Sequence, residues 1–552
     1  MIRHGLIPLP DVEKTSNPSH FLQFSFRGRP ILYTGFGISK GGTVGKTLLP
    51  RVRQARLAII GFGCNQAFLF TMLYLGSFNE GSQHGFLIDR ADLLCVLVAL
   101  AVTFAAMMAP KGRARLMGVA DGLVRLYAAP LVLALFCLVV LRTLCPGIPW
   151  LVFAVAEGVL AGCPLALLLC LWGRALGAAS IDQSVPEVFI GSALGAAVCF
   201  FVVAIPYPEA YVVLYGLPLG SAWALRRLLP QQTVEAGKGS AVSESAASQG
   251  TTPAETLSEP DAPGAESPEA SKLTGRIIAG TVVYGGATGV VEALTASASG
   301  AAYTSLSATL ALFVIYCAAA LQLYGGKPLG SSVRALLPAG PDQEVGPLGG
   351  AYRLAFLLMA GGFVAVPLLE SVGVSGVAVV LAGYLGMFSV LISLFLIMGR
   401  ISGRGVVRSF ARGFAALFAG EIAGVLLGGV IGAIPGPFDV SAALVTVAGV
   451  AVMYAYLFLF TDRDMAALSV VVARTDRFEE ACERIASAAK LSKREAEILP
   501  LALRGRTAER IAGEFFISKN TVDTHLRRIY AKCGVHTRQE LIDLGEKTEK
   551  EL

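Results

Sequence analysis

Apolar residues fall into twelve blocks along the chain, each near the roughly 20 residues that an α-helix needs to cross a bilayer core. The first six lie near residues 56–76, 91–109, 123–141, 149–172, 186–205 and 208–225. After a polar gap, six more lie near 277–297, 302–324, 353–370, 373–398, 410–434 and 440–461. The pattern predicts an all-α protein: a polytopic membrane bundle of six plus six spans.

Charge placement tests that count independently. With both termini inside, the inner loops carry Arg51, Arg53 and Arg56; Lys111, Arg113 and Arg115; Arg174; Arg226 and Arg227; Lys327 and Arg334; and Arg400, Arg404, Arg408 and Arg412. The outer loops carry only Arg90 and Arg142. Basic residues stay on the cytoplasmic side of spans, and one missed span would invert the alternation downstream. The expected location is the cytoplasmic membrane, multi-pass, with both termini inside.

Two polar stretches interrupt this pattern. Residues 226–275 are rich in Ala, Ser, Glu, Pro and Gly, with acidic Glu235, Glu244, Glu255, Glu259, Asp261, Glu266 and Glu269. Such a composition cannot bury a core and reads as a flexible linker. The expected organisation is therefore an N-terminal cytoplasmic segment (1–54), a first membrane half (55–225), the linker (226–275), a second half (276–461), a helical connector (462–490) and a small terminal domain (491–552).

Composition adds exclusions. Of 552 residues, 54% are hydrophobic and only 15% charged, against roughly 25% charged in soluble domains. That excludes a purely cytosolic enzyme. Residues 1–50 lack the compact apolar core of a signal peptide. The ten cysteines are mostly scattered singly through apolar runs, with no Cys-x-x-Cys or Cys/His ligand spacing; they read as small buried side chains, and neither a metal site nor a cofactor is expected. Nor is there a nucleophile–base–orienter pattern of an enzyme.

Polar residues deep in spans are costly and often functional. Asn65 and Gln66 lie in the first span, Glu157 in the fourth, Glu292 in the seventh, and Tyr384 and Ser389 in the tenth. These six are the candidate contacts for a small-molecule ligand whose identity the sequence does not give. Glu421 lies mid-span in the eleventh. The glycines of 285–289 and 424–429 read as sites of close helix packing.

The terminal 491–552 reads as four short capped helices. Ser492 with Glu495, and Thr537 with Glu540, have the spacing of capping boxes; Thr507 and Ser518 start the middle two helices, and Gly505 and Gly534 follow the first and third. In the third helix Val522, Leu526, Ile529 and Cys533 form one apolar stripe. The opposite face carries Lys519, Asn520, Asp523, Thr524, Arg527, Arg528 and Lys532, with Thr521 and His525 beside them. From Arg504 to Arg538 there are eight Lys/Arg against three acidic residues. Arg and Lys neutralise phosphates; Asn, Thr and Lys read base edges, and Asp accepts from a cytosine amino group. This is the pattern of a helix-turn-helix whose second helix enters a major groove.

Two resemblances accompany these readings. Six spans, a linker and six spans resemble the major facilitator superfamily in layout, although the loop at 109–118 (Ala109-Pro-Lys-Gly-Arg-Ala-Arg-Leu-Met-Gly118) lacks that superfamily's acidic residue. More specifically, Leu491-Ser-Lys-Arg-Glu495, Gly505-Arg-Thr507, Ile511-Ala512, Ser518-Lys-Asn-Thr521-Val522-Asp-Thr-His525 and Ile529-Tyr-Ala-Lys532-Cys-Gly534-Val535 resemble a LuxR-type DNA-binding domain. Pro500 within the first helix, Asp523 and Cys533 depart from the usual pattern. The resemblance implies binding to double-stranded promoter DNA as a homodimer that pairs through the domain. The expected function is a membrane-embedded one-component transcriptional regulator that senses a ligand or membrane signal through a transporter-like bundle. The alternative is a secondary transporter with a fused regulatory DNA-binding tail.

Overall fold

A computed structural model describes residues 24–26, 29–31, 44–75, 90–145, 147–203, 205, 209–238, 268–295, 302–324, 347–370, 376–401, 405–432, 447, 449, 478, 480–515 and 517–550. Two short strands, β1 (Phe24–Phe26) and β2 (Arg29–Ile31), pair antiparallel; among the described residues every other regular element is helical.

Helical stretches stand where the first eleven apolar blocks predict spans. They are α1 (Val44–Phe70), α2 (Arg90–Met108), α3 (Pro110–Gly122) continuing into α4 (Ala128–Leu144), α5 (Trp150–Glu157) continuing into α6 (Cys163–Gly177), α7 (Ile181–Val203), α8 (Glu209–Lys238), α9 (Pro268–Thr295), α10 (Ala302–Tyr324), α11 (Pro347–Glu370), α12 (Gly376–Ile401) and α13 (Val406–Gly432). Among the described residues, seven stretches are long and apolar enough to cross a bilayer on their own, and Leu93–Met108 is a shorter apolar helix. The twelfth block, 440–461, lies outside the described residues apart from 447 and 449, as does most of the linker.

One expected loop is helical. The basic segment 109–118 begins a helix directly after a bend at Ala109. Pro110 occupies its first turn, where a missing N–H costs nothing and the fixed φ suits a helix. Gly112 permits the tight turn, because a Cβ there would collide with the Ala106 carbonyl. Three spans also contain π-helical turns, at Thr71–Leu75, Leu123–Tyr127 and Gly158–Gly162; the last directly follows Glu157.

The distribution of polar and apolar groups is that of a membrane protein. Large apolar side chains are exposed, among them Leu126, Leu133, Leu144, Phe201 and Val430, whereas Asn65, Gln66, Glu157, Glu292, Ser389 and Glu421 are buried. In α12 nearly every position from Ala378 to Met398 is buried, as expected of a helix that is apolar all round. Aromatic rings join helices from either side of the linker: Phe104 of α2 stacks on Phe414 of α13 with centroids 5.2 Å apart, and Phe70 of α1 meets Phe313 of α10 edge-on at 5.6 Å.

The tightest pairing is α9 with α13. A Cβ on Gly285 or Gly289 would strike the backbone of Leu417 or Glu421, and one on Gly420 or Gly424 would strike that of Val282 or Gly286. Residue numbers rise together along this register, so the helices run parallel, as the seventh and eleventh spans of an alternating chain must. The expectation that the glycines of 285–289 and 424–429 serve close packing holds at Gly285, Gly289, Gly424 and Gly428.

The C-terminal domain has a separate core. Cys482 and Ile485 pack with Ile498, Leu499, Ala502, Ile511, Val522, Leu526, Ile529 and Leu541. Its four helices are α14 (Lys493–Leu503), α15 (Ala508–Glu514), α16 (Lys519–Cys533) and α17 (Arg538–Lys550). Residues 480–488 are helical and bury Cys482 and Ile485 in this core, so the packed unit extends upstream of the expected boundary at 491. Arg504 reaches back to cover the Phe478 ring at 4.8 Å.

Candidate functional site

Local chemistry fixes the ends of the terminal helices. Ser492 and Glu495 close a reciprocal capping box, with the Ser492 N–H donating to the Glu495 carboxylate at 2.7 Å. The Thr507 hydroxyl accepts from the Arg510 N–H and that of Ser518 from the Thr521 N–H. At Thr537 the hydroxyl accepts from the Glu540 N–H, while the Glu540 carboxylate accepts from the His536 N–H at 2.8 Å. Gly505 and Gly534 adopt positive φ of 74° and 68°, which glycine supplies without a steric cost. These caps hold α15 and α16 in a helix-turn-helix.

The stripe of Val522, Leu526 and Ile529 is buried, and the opposite face of α16 is open. Lys519, Asn520, Thr521, Thr524, Arg527 and Arg528 are exposed; Asp523 and His525 are half-buried. Arg527 and Arg528 make no ion pair among the described residues. The Thr524 hydroxyl donates to its own helix at the Asn520 carbonyl. Lys519 is held by Glu509 of α15 at 2.6 Å, and that hydrogen bond pulls the exposed Glu509 carboxyl below its ordinary range. Burial and the nearby Arg528 lower the His525 imidazole below its ordinary range.

Lys532 has a second task that its place on the basic face does not reveal. Its ammonium donates to Glu495 at 2.6 Å, and the Glu495 side chain is only 2% exposed. Burial raises the Glu495 carboxyl, but the Lys532 hydrogen bond and those from Ser492 outweigh it and bring the group below the usual carboxylate range. Lys532 thus ties the third helix to the first.

The six candidate ligand contacts in the bundle separate into three situations. Ser389 donates to the Leu385 carbonyl of its own helix, a local bond that accounts for its burial. Glu157 accepts from the Tyr215 hydroxyl at 3.0 Å, and the Tyr384 hydroxyl donates to Glu421 at 3.5 Å; Glu292 is buried on α9. Asn65 and Gln66 are fully buried, and none of their four amide atoms has a hydrogen-bond partner among the described residues. Tyr215 and Tyr284 were not legible as site residues, since a tyrosine in an apolar block reads as core. Tyr284 stacks on Tyr384 at 5.0 Å and donates to its carbonyl at 2.8 Å. A crevice with room for about one water is lined by Ala287, Thr288, Val291, Met359, Val380, Leu381 and Tyr384.

Comparison with known proteins assigns the terminal domain. Residues 489–544 match the model of bacterial regulatory proteins of the luxR family. Over 57 residues the chain is 42% identical to the oxygen regulatory protein NreC of Staphylococcus aureus, in strains JH9 and JH1 alike. That match covers 10% of this chain and 26% of the relative's length. A luxR-type helix-turn-helix domain therefore follows the long helices of this chain. Among solved structures, the human organic anion transporter MFSD10 aligns over 74% of this chain and 99% of its own, with a TM-score of 0.42 and 14% identity. The major facilitator superfamily transporter FucP in its outward conformation gives a TM-score of 0.40 and 12% identity over the same shares. At these values the likeness carries no argument about what the bundle binds.

Proposed function

We propose that this protein is a membrane-embedded, one-component transcriptional regulator. One observation carries the reading: a luxR-type domain with an open basic recognition face lies in the same chain as at least seven apolar spans. Asn520, Thr521, Asp523 and Thr524 meet base edges near the start of α16, while Lys519, Arg527 and Arg528 meet phosphates, with His525 beside them. Lys532 acts mainly by holding the domain together. The domain binds palindromic promoter DNA as a homodimer, on the cytoplasmic side of the cell membrane, with both chain termini there.

The bundle supplies the input. Buried amides without protein partners are costly unless something satisfies them, which supports Asn65 and Gln66 as contacts for a polar small-molecule ligand. Glu157, Glu292, Tyr384 and Ser389 complete the proposed polar lining. A ligand shifts the domain's DNA occupancy only if it binds two bundle states with different affinity.

Transcript profiling of cells carrying Arg527→Ala tests this reading. Altered expression of a confined set of genes is expected, with membrane levels of the protein unchanged; a profile identical to wild type would refute it. The same buried amides also suit the second reading, a transporter with a regulatory tail. Substrate uptake into vesicles by the chain lacking residues 462–552 would favour that one.

A further inference from the structure

The outward side of α8 ends in a patch of arginines around one tryptophan. The Arg227 guanidinium lies over the Trp223 ring at 4.6 Å, and Trp223 is 48% exposed. Arg226 and Arg227 are both exposed. On the same side, Leu219 lies one turn and Val212 three turns before Trp223, and both are exposed. Helices on either flank add two more arginines. The π-helical turn Leu123–Tyr127 packs against α8, and Arg125 within it is exposed. The third and sixth spans run in opposite directions, so the Phe136–Tyr215 ring contact at 5.8 Å puts Arg226 about level with Arg125. On the other flank, a Cβ on Gly61 of α1 would strike Ala224, and one on Gly220 would meet Cys64. That antiparallel register puts the exposed Arg56 within one turn of the level of Arg227.

The patch lacks a counter-charge. None of Arg56, Arg125, Arg226 and Arg227 makes an ion pair among the described residues. Asp121, one turn before Arg125, is already bonded to Arg174 at 2.8 Å. A guanidinium on the outer surface of a membrane bundle does not leave its charge in hydrocarbon; it reaches for the headgroup layer. Tryptophan favours the same depth. Stacking on Trp223 covers one face of Arg227 and leaves its edge N–H groups for an anion, and that planar fork matches the oxygens of a phosphate. The exposed apolar stripe of Leu219 and Val212 continues from the cluster along the span. A ligand with a phosphate head and an apolar tail therefore meets complementary surface at both ends.

We propose that Arg125, Arg226, Arg227 and Trp223 form a binding site for an anionic phospholipid of the cytoplasmic leaflet. The headgroup phosphate takes the N–H groups of the three arginines, and an acyl chain lies along Leu219 and Val212. Arg56 adds attraction from the flank. Net negative charge selects the lipid, because a zwitterionic headgroup carries its own ammonium, which offsets its phosphate. Placement in the cytoplasmic leaflet rests on the reading of both termini as cytoplasmic; the binding itself does not.

Native mass spectrometry of the full chain in detergent, with phosphatidylglycerol and phosphatidylcholine of identical acyl chains, tests the site. The wild type should retain phosphatidylglycerol in preference to phosphatidylcholine, and added salt should narrow the preference. Arg226→Gln and Arg227→Gln should each lower phosphatidylglycerol affinity about fivefold, with phosphatidylcholine binding unchanged. Both residues are exposed, so these variants should fold, and an unchanged melting midpoint in phosphatidylcholine checks that they do. Trp223→Leu, which keeps every charge and loses the stack, should also weaken phosphatidylglycerol binding. Lys272→Gln removes an exposed charge near the start of α9 and should change nothing. Equal retention of the two lipids by the wild type would overturn the proposal, as would undiminished phosphatidylglycerol binding in an Arg226→Gln, Arg227→Gln double variant. So would an equal loss in Lys272→Gln, which would reduce the effect to bulk attraction. Displacement of the lipid by inorganic phosphate would overturn it too, making a free anion the occupant. Because no readout involves DNA or the orientation of the chain, its failure is separable from failure of the regulator assignment.

Discussion

At the scale of single residues, the basic face of the terminal domain divides into side chains free to meet DNA and one already engaged. Arg527 is exposed and unpaired among the described residues, so Arg527→Ala should weaken DNA binding across all sequences and reduce the salt slope by about one; titrations at several salt concentrations check both. Lys532→Ala should act differently. It strands a Glu495 side chain that is 2% exposed, so it should destabilise the domain by about 1–3 kcal/mol, read from the denaturation midpoint of a fragment spanning residues 478–552. Glu495 also predicts an acid limb. Its carboxyl ionises below the ordinary range in the folded domain, so the folded state binds fewer protons than the unfolded one in that interval. Its stabilisation is complete above the ordinary carboxylate range and is lost as pH falls through the lowered value. Glu495→Gln should flatten that part of the stability–pH curve.

Elements show what was legible in the sequence and what was not. The caps at Ser492, Thr507, Ser518 and Thr537, and the glycines at 505 and 534, are local: donor and acceptor lie within a few residues, so spacing alone marks them. The apolar stripe of α16 was equally plain, because a period near 3.6 concerns one helix. The Lys532–Glu495 bond spans two helices and 37 positions, and nothing in the spacing separates that lysine from its basic neighbours. The expected loop at 109–118 failed for another reason: Gly, Pro and basic residues read as a connection, yet Pro110 in the first turn and Gly112 against Ala106 make a helical hairpin. The extent of the terminal domain was underestimated because Cys482 and Ile485 sit in a polar stretch that reveals its packing only in three dimensions. At this scale the α9–α13 clamp yields a prediction. Gly289→Val places a branched side chain against the Glu421 and Val425 backbone, and should lower the melting midpoint of the detergent-solubilised protein well below that of Gly429→Val, where the added Cβ meets open space.

Across the whole molecule, contacts join the helices before the linker to those after it. Arg400 at the end of α12 donates to the Gly177 carbonyl at 3.0 Å and also to that of Ala179, covering carbonyls that end α6. The Tyr324 hydroxyl donates to the Ile181 carbonyl nearby at 3.5 Å. If the bundle signals by moving between two states, removing such a latch should shift their populations even without ligand. Arg400→Gln should therefore change basal expression from a reporter driven by the regulated promoter, and the change should vanish in an Arg400→Gln, Arg527→Ala double variant. The double variant separates signalling from general damage, because a signal can reach the reporter only through the DNA-binding face.

The central claim, that this membrane chain binds promoter DNA, is tested most directly by footprinting residues 478–552 on the DNA flanking its own gene. Saturable protection of a palindromic site, weakened by salt and by Arg527→Ala, is the predicted result. No saturable protection at low salt, even when the fragment is held as a dimer, would contradict the account.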